Sequence, residues 1–323
     1  MSMFDKLEKI KYLIGNTPVH TVEVMNITLG IKLEYFNLFG SIKDRPAFNI
    51  IYEAVKSGRI GQDTTIIESS SGNFAIALAN ICHYLGLKFI PVVDPNINKD
   101  YLQLLKVLCS EVIMVTDRDA TGGYLLTRIR MVESLCSKHP DSFWTNQYNN
   151  PHNYLCYYDS LGRELLNQLE GLTHVFIAVS TGGTLAGLSK RIKEEKPSVE
   201  IVAVDIEGSV IFNQPPKSRY ISGLGSSMVP PLLSHAQYDK VLHVTHEEII
   251  DGCRALYNDT HIFAGGSSGA VYQGIRQYFS THASSHECVV AMCCPDRGNA
   301  YMDTLYNNEW CNKFKKTEQL CCI

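Results

Sequence analysis

The sequence of 323 residues predicts an α/β protein built on two open, mostly parallel sheets with helices on both faces. Three observations carry that expectation. Short β-branched runs alternate with helix-length amphipathic segments, the rhythm of βαβ units. The strand candidates are apolar along most of their length, as strands covered on both faces must be. The rhythm breaks once, at the polar, Asn-rich stretch WTNQYNNPHNY (144 to 154), and then resumes, which divides the strands into two sets.

In chain order, TTIIES (64 to 69) leads into FAIALANICHYLG, KFIPVVD (88 to 94) into KDYLQLLKVLCS, and EVIMVT (111 to 116) into GYLLTRIRMVESL. After the break come HVFIAVS (174 to 180), TLAGLSKRIKEE and EIVAVD (200 to 205). Helices near 246 to 258 and 270 to 282 and the run ECVVAMCC (287 to 294) complete the second set. No internal repeat or low-complexity tract interrupts this order.

The bulk numbers describe a soluble globular chain. With 45% hydrophobic and 19% charged residues it can bury a large core and divide into two domains. A net charge of -4, with Lys and Arg scattered rather than blocked, argues against nucleic acid as a partner. No apolar run reaches the roughly 18 residues of a membrane span, and the opening residues hold acids and lysines without a signal-peptide core, so a cytoplasmic location is expected. Eleven cysteines include no C-x-x-C pair and several lie in apolar runs (Cys82, Cys109, Cys288, Cys293), which reads as reduced thiols packed as small hydrophobes. His243 and His246 form the one tight histidine pair, without companions for a metal, and no metal is expected. The terminal LCCI has Leu at the fourth position from the end and does not fit the prenylation pattern.

Ligands of open parallel sheets bind outside the carboxyl ends of the strands, so the strand-to-helix loops are where chemistry is sought. ESSSGN (68 to 73) supplies hydroxyls, a glycine and an amide at a helix start. STGGT (180 to 184) lets the main chain wrap an anion before a second helix, although short turns of this kind also serve as plain caps. AGGSSGA (264 to 270) contains Gly265-Gly266-Ser267-Ser268-Gly269, which matches the G-x-S-x-G nucleophile elbow. The hydrolase order Ser, acid, His cannot be completed, because no acid lies between Ser267 and His282 or His286 and no histidine follows the later acids. The Walker pattern and G-x-G-x-x-G are both missing. GSIKDRPAF (40 to 48) puts Lys43 directly after a Gly-Ser turn and ahead of an apolar helix, a poor place for a charge that only solvates.

Taken together, these loops resemble the cofactor site of fold type II pyridoxal-phosphate enzymes, specifically the cysteine synthase and cystathionine β-synthase family of β-replacement enzymes. The resemblance runs through IGNTPV (14 to 19), GSIKDRPA, SSSGN, NQYNNPHN (146 to 153), STGGT, VDIEGS (204 to 209), SGLG (222 to 225), GGSSG and PDRGNAY (295 to 301), in order and in register. It implies pyridoxal 5'-phosphate carried covalently on Lys43, whose freed amine then takes the substrate α-proton. It implies a phosphate cradle of Ser180, Thr181, Gly182, Gly183 and Thr184, with Asn73 at the ring hydroxyl and Ser267 at the pyridine nitrogen. The substrate α-carboxylate would sit in Ser70, Ser71 and Gly72 with Gln147, and Gly223 would lie on the substrate side. Asp44 and Arg45 are expected to form a structural pair. The resemblance further implies a tryptophan synthase β-like arrangement: residues 39 to 148 as the smaller domain, 1 to 38 plus 149 to 323 as the larger, the cofactor in the cleft between them, and a homodimer.

The chain ends near the close of the catalytic fold, which is expected to leave out the regulatory module and haem-binding extension of many cystathionine synthases and argues against homocysteine as acceptor. Phe74 stands where plain cysteine synthases carry a small or hydroxylated residue, and PVVDPNI, GGYLLTRIR, EGSVIF and DRGNAYMDTLYNNEW also differ from them. These stretches look closer to N-(2-amino-2-carboxyethyl)-L-glutamate synthases, which make a 2,3-diaminopropionate precursor in siderophore and antibiotic pathways. That resemblance implies loss of phosphate from O-phospho-L-serine and addition of the amine of L-glutamate. Two alternatives stand beside it: an O-acetylserine or O-phosphoserine sulfhydrylase, and a non-catalytic scaffold that kept the fold. Glutamate brings two carboxylates and calls for a cation. Arg128 is the candidate anchor with Tyr148 as a polar wall, and Arg219 is placed to meet the leaving phosphate. Each arginine also has the plainer reading of a solvated charge.

Overall fold

The computed structural model describes residues 1 to 281 and 288 to 312, so the LCCI terminus lies outside the described residues. The chain opens with helix α1 (Met3–Ile10), then strands β1 (Val19–Val24) and β2 (Ile27–Leu33) and helix α2 (Asp44–Lys56). A run of alternating elements follows: β3 (Thr65–Ser69), α3 (Asn73–Leu85), β4 (Lys88–Val93), α4 (Lys99–Leu108), β5 (Ile113–Met114), α5 (Leu125–Lys138) and β6 (Ser142–Trp144). Beyond the Asn-rich segment come α6 (Pro151–Cys156), α7 (Gly162–Gln168), β7 (Leu172–Ala178), α8 (Gly183–Glu195) and β8 (Glu200–Ile206). The described chain then adds β9 (Lys240–Val244), α9 (His246–Thr260), α10 (Gly266–Thr281) and β10 (Val289–Cys294).

The strands form two sheets. One has four strands in the order β5-β4-β3-β6, all parallel. The other has six in the order β1-β2-β10-β7-β8-β9, parallel except for the antiparallel β1–β2 pair. The fully apolar strands are covered on both faces. Ile66 of β3 packs with α2 and α3, whereas its neighbour Ile67 packs with Val132 and Leu135 of α5. In the larger sheet Val202 and Val204 face α9 and α10, while Ile201 and Ala203 face α8. Burying each such side chain contributes on the order of 1.5–3 kcal/mol, which makes the strands the rigid frame of the loops at their ends.

Helix boundaries follow local chemistry. Thr245 caps α9 with a reciprocal box, its hydroxyl accepting from Glu248 N–H while the Glu248 carboxylate accepts from Thr245 N–H. Asn150 caps α6 ahead of Pro151 at the first turn. Gly86, at φ +79°, ends α3 in the left-handed conformation. The close crossing of α6 and α8 depends on Gly187, where an added Cβ would stand 2.3 Å from the Tyr154 carbonyl oxygen. Gly187→Ala is therefore expected to destabilise the protein by about 1–3 kcal/mol in urea unfolding, and unchanged or raised stability would contradict that packing.

Five strands differ from expectation. The hairpin β1–β2 turns through Met25 and Asn26, both at positive φ, a two-residue turn without the usual glycine. The short β6 and the half-exposed β9 carry too few apolar residues to announce themselves. The run 111 to 116 pairs only over Ile113–Met114. Among the described residues no helix is long and apolar enough to cross a membrane, and no disulfide joins the described cysteines to one another.

Candidate active site

One cavity lies at the carboxyl ends of β7 and β10, lined by Lys43, Asn73, Ser180, Thr181, Gly182, Thr184, Gly223, Ser267 and Asp296. Lys43 enters it from the residue before α2. The turn holding it is fixed: Ser41 Oγ accepts from Lys43 N–H at 3.2 Å and donates to Asp44 Oδ1 at 3.1 Å, and Ile42 N–H donates to the Pro295 carbonyl at 2.8 Å. Lys43 Nζ makes no hydrogen bond or ion pair among the described residues. Burial pulls its pKa down to about 8, against the weaker pull of Cys156 and Asp296 in the other direction. An amine with a pKa near 8 is uncharged in roughly one molecule in ten at pH 7, far more often than at the ordinary 10.5.

The expected Asp44–Arg45 pair is not present. Asp44 accepts from Ser41 and from Phe39 N–H, while Arg45 turns the other way and bridges Glu34 and Glu164. Neighbouring residues at a helix start point about 100° apart, so adjacency in sequence did not bring these two charges together.

The β7–α8 connection forms an anion cradle. Gly182 caps α8 at φ +80°, and the backbone N–H groups of Thr181 through Leu185 have no protein acceptor among the described residues. Five unspent donors at the start of a thirteen-residue helix favour a phosphate. Gly183 lies behind them against Asn153, where a Cβ would stand 2.2 Å from Asn153 Oδ1. The Ser180 hydroxyl donates to the Gly225 carbonyl at 3.1 Å, tying the cradle to the 222 to 225 turn.

A second set of open donors begins α3. Among the described residues the N–H groups of Ser71, Asn73 and Phe74 have no acceptor, while Gly72 and Ala75 N–H donate to Ser70 Oγ. The buried Glu68 binds both sides of this region: its carboxylate accepts from Ser69 N–H, the Thr145 hydroxyl and Gln147 N–H, and burial raises its pKa to about 7. Gln147 Nε2 donates to the Ser69 carbonyl at 3.0 Å.

The Ser71 hydroxyl is spent elsewhere. It donates to Asp94 Oδ2 at 2.8 Å and accepts from Asp94 N–H and from Arg128 Nη1 at 2.9 Å. Arg128 also pairs with Asp94 at 3.3 Å, so its charge is already compensated. Arg219, half-buried, donates to the Gly208 carbonyl and the Ser227 hydroxyl and forms no ion pair among the described residues. Tyr148 lies within electrostatic range of both arginines; burial raises its pKa while their charges oppose the rise. Ser70, Ser71, Gly72, Gln147, Arg128, Tyr148 and Arg219 are not part of the cavity lining around Lys43.

Asp296, Tyr101 and Glu68 were not singled out as site residues from the sequence. Asp296 lies within PDRGNAY and Glu68 within ESSSGN, where a carboxylate at the end of an apolar strand is the available signal.

The family described as pyridoxal-phosphate dependent enzyme matches residues 10 to 294. Among solved structures, the chain is similar to the O-acetylserine dependent cystathionine beta-synthase from Helicobacter pylori (29% identity, TM-score 0.82, 94% of this chain and 97% of that one). It is also similar to a hydrogen sulfide-producing enzyme from Fusobacterium nucleatum (27% identity, TM-score 0.82, 93% and 99% covered). O-ureido-L-serine synthase matches at 25% identity, TM-score 0.82, with 95% of each chain covered.

Proposed function

Because the chain belongs to the pyridoxal-phosphate dependent enzymes, we propose that it eliminates phosphate from O-phospho-L-serine and adds the amine of L-glutamate, giving N-(2-amino-2-carboxyethyl)-L-glutamate. At the coarser level it is a cofactor-dependent synthase of the cysteine synthase type. The residues fit the cofactor: an amine depressed toward neutrality, five unspent N–H groups for a phosphate, and a buried serine at the start of α10.

When bound, pyridoxal phosphate supplies an electron sink that acidifies the substrate α-proton and lets a β-substituent depart. In this reading Lys43 Nζ takes that proton, and the Thr181 to Leu185 donors hold the cofactor phosphate. The open N–H groups of Ser71, Asn73 and Phe74 orient the substrate α-carboxylate toward Lys43. Ser267 would offer the cofactor ring a neutral partner instead of a carboxylate, chemistry that would favour expulsion of a leaving group. Residues 39 to 148 act as the smaller domain against 1 to 38 plus 149 to 323, and the chain works as a homodimer in the cytoplasm.

The observation that supports an anionic acceptor is Arg219: a half-buried guanidinium near Tyr148 that forms no ion pair among the described residues, with Asp205 and Asp119 acting on it only at longer range. Sulfide would have no use for it. The competing sulfhydrylase reading is favoured by Arg128, because Asp94 already neutralises the arginine expected to anchor glutamate. The two are separated by giving the enzyme O-phosphoserine or O-acetylserine with glutamate, sulfide or homocysteine and identifying each product by mass. Arg219→Gln is expected to raise KM for glutamate about tenfold to a hundredfold, the scale of a lost charged hydrogen bond, and to leave sulfide turnover within about twofold. Product formed with sulfide alone would overturn the glutamate reading.

A further inference from the structure

We propose that Asp296 is a positioning residue: it holds the Asn73 carboxamide so that this side chain offers an N–H, rather than its carbonyl, to the group bound beside Lys43. Asp296 follows β10, is 4% exposed and lines the same cavity as Lys43 and Asn73. Its Oδ2 accepts from Asn73 Nδ2 at 2.6 Å and from the Tyr301 hydroxyl at 2.8 Å. On the other side, the Tyr101 hydroxyl donates to Asn73 Oδ1 at 2.6 Å.

The polarity of this chain follows from what each group can do. A carboxylate only accepts, so the amide atom facing Asp296 is nitrogen. Each phenol has one proton, and burial raises the pKa of both Tyr101 and Tyr301, so each keeps it to give. Burial also raises the pKa of Asp296, while Tyr301, Asn73 and Lys43 favour its ionised form. With the Asn73 oxygen turned to Tyr101 and one amide hydrogen given to Asp296, the second hydrogen is the donor left for the cavity. A pyridoxal ring oxygen is an acceptor of the kind this donor selects.

The carboxylate is itself held in place. Gly265 N–H donates to the Asp296 carbonyl at 3.2 Å, and a Cβ at Gly265 would stand 2.1 Å from Asp296 Oδ1, so the glycine is what makes room for the carboxylate. Asp296 Oδ1 has no hydrogen-bond partner among the described residues. The Asp296–Asn73 bond spans 223 positions of sequence and joins the end of a strand of the six-stranded sheet to the first residue of α3, on the four-stranded sheet. This inference rests on the family's cofactor and not on which nucleophile the enzyme uses.

The test uses the full-length, cofactor-loaded protein, and reads the rate of pyridoxal phosphate release into a trap together with the visible absorption band of the bound cofactor. Asp296→Asn can reverse the amide and is expected to speed release at least about tenfold and to shift the band. Asn73→Ala should do the same, and the double variant Asp296→Asn/Asn73→Ala should be no worse than Asn73→Ala alone, because one acts through the other. Tyr101→Phe, which leaves the carboxylate in place and frees the amide oxygen, should shift the band and show the same lack of additivity. Wild-type release and absorption in Asp296→Asn and Tyr101→Phe, or effects that add to Asn73→Ala, would overturn the proposal.

Discussion

Alanine at position 43 lowers turnover by at least about a thousandfold, the upper part of the range for losing a positioned general base. Lys43 is the amine of the cavity, its Nζ is not engaged by another side chain among the described residues, and the turn before α2 holds it by three hydrogen bonds around Ser41 and Ile42. Its low pKa has a measurable consequence. In protein stripped of cofactor, acylation of Lys43 should rise with pH through a midpoint near about 8 instead of the ordinary 10.5. Because the folded pKa lies below the unfolded one, the unfolded chain binds more protons between about 8 and 10.5, and this group's contribution to stability rises across that window. Turnover within tenfold of wild type in Lys43→Ala, or a labelling midpoint at 10 or above, would contradict the role given to this amine.

The largest expected loss of stability comes from a residue two positions on. Arg45, with a side chain 2% exposed, binds Glu34 through Nε and Nη2 at 2.7 Å and Glu164 through Nη1 and Nη2 at 2.7 and 2.8 Å. Lys32, fully buried, completes the group by donating to Glu164 at 2.7 Å, the Thr17 carbonyl and Gln168. Arg45→Met leaves the fully buried Glu34 without its cation and is expected to cost about 3–5 kcal/mol in urea unfolding. Burial raises the Glu164 pKa, but Arg45 and Lys32 outweigh it and hold the carboxyl at about 2. A depressed pKa gives stability that is present above the ordinary 4.5 and lost as pH falls toward about 2, so the variant should also unfold at higher pH in an acid titration. A loss under about 1 kcal/mol would show that this network does not hold β2, α2 and α7 together.

How much of this could be read from the sequence depends on the range of the signal. The parallel strands were legible because each buried strand is an apolar run followed by a helix, as in TTIIES and HVFIAVS. The β1–β2 hairpin was not, since its Met25–Asn26 turn lacks glycine and its pairing partner β10 lies more than 250 residues away. In the cavity, Lys43, Asn73, Ser180, Thr181, Gly182, Thr184, Gly223 and Ser267 come together because each of their loops ends a strand or starts a helix, while Ser70, Ser71 and Gly72 stay outside its lining. What escaped were side-chain pairings across the chain. The glutamate anchor expected at Arg128 is occupied by Asp94, and Asp296, which carried no expectation of its own, grips Asn73. Ordered motifs located the site; the charge state of its arginines needed coordinates.

The most direct test of this account is to reduce the cofactor-loaded protein with borohydride, digest it and find the modified peptide by mass. The account predicts one pyridoxyl group, carried on Lys43 in the peptide that begins α2. A label on another lysine, or none on any, would contradict it.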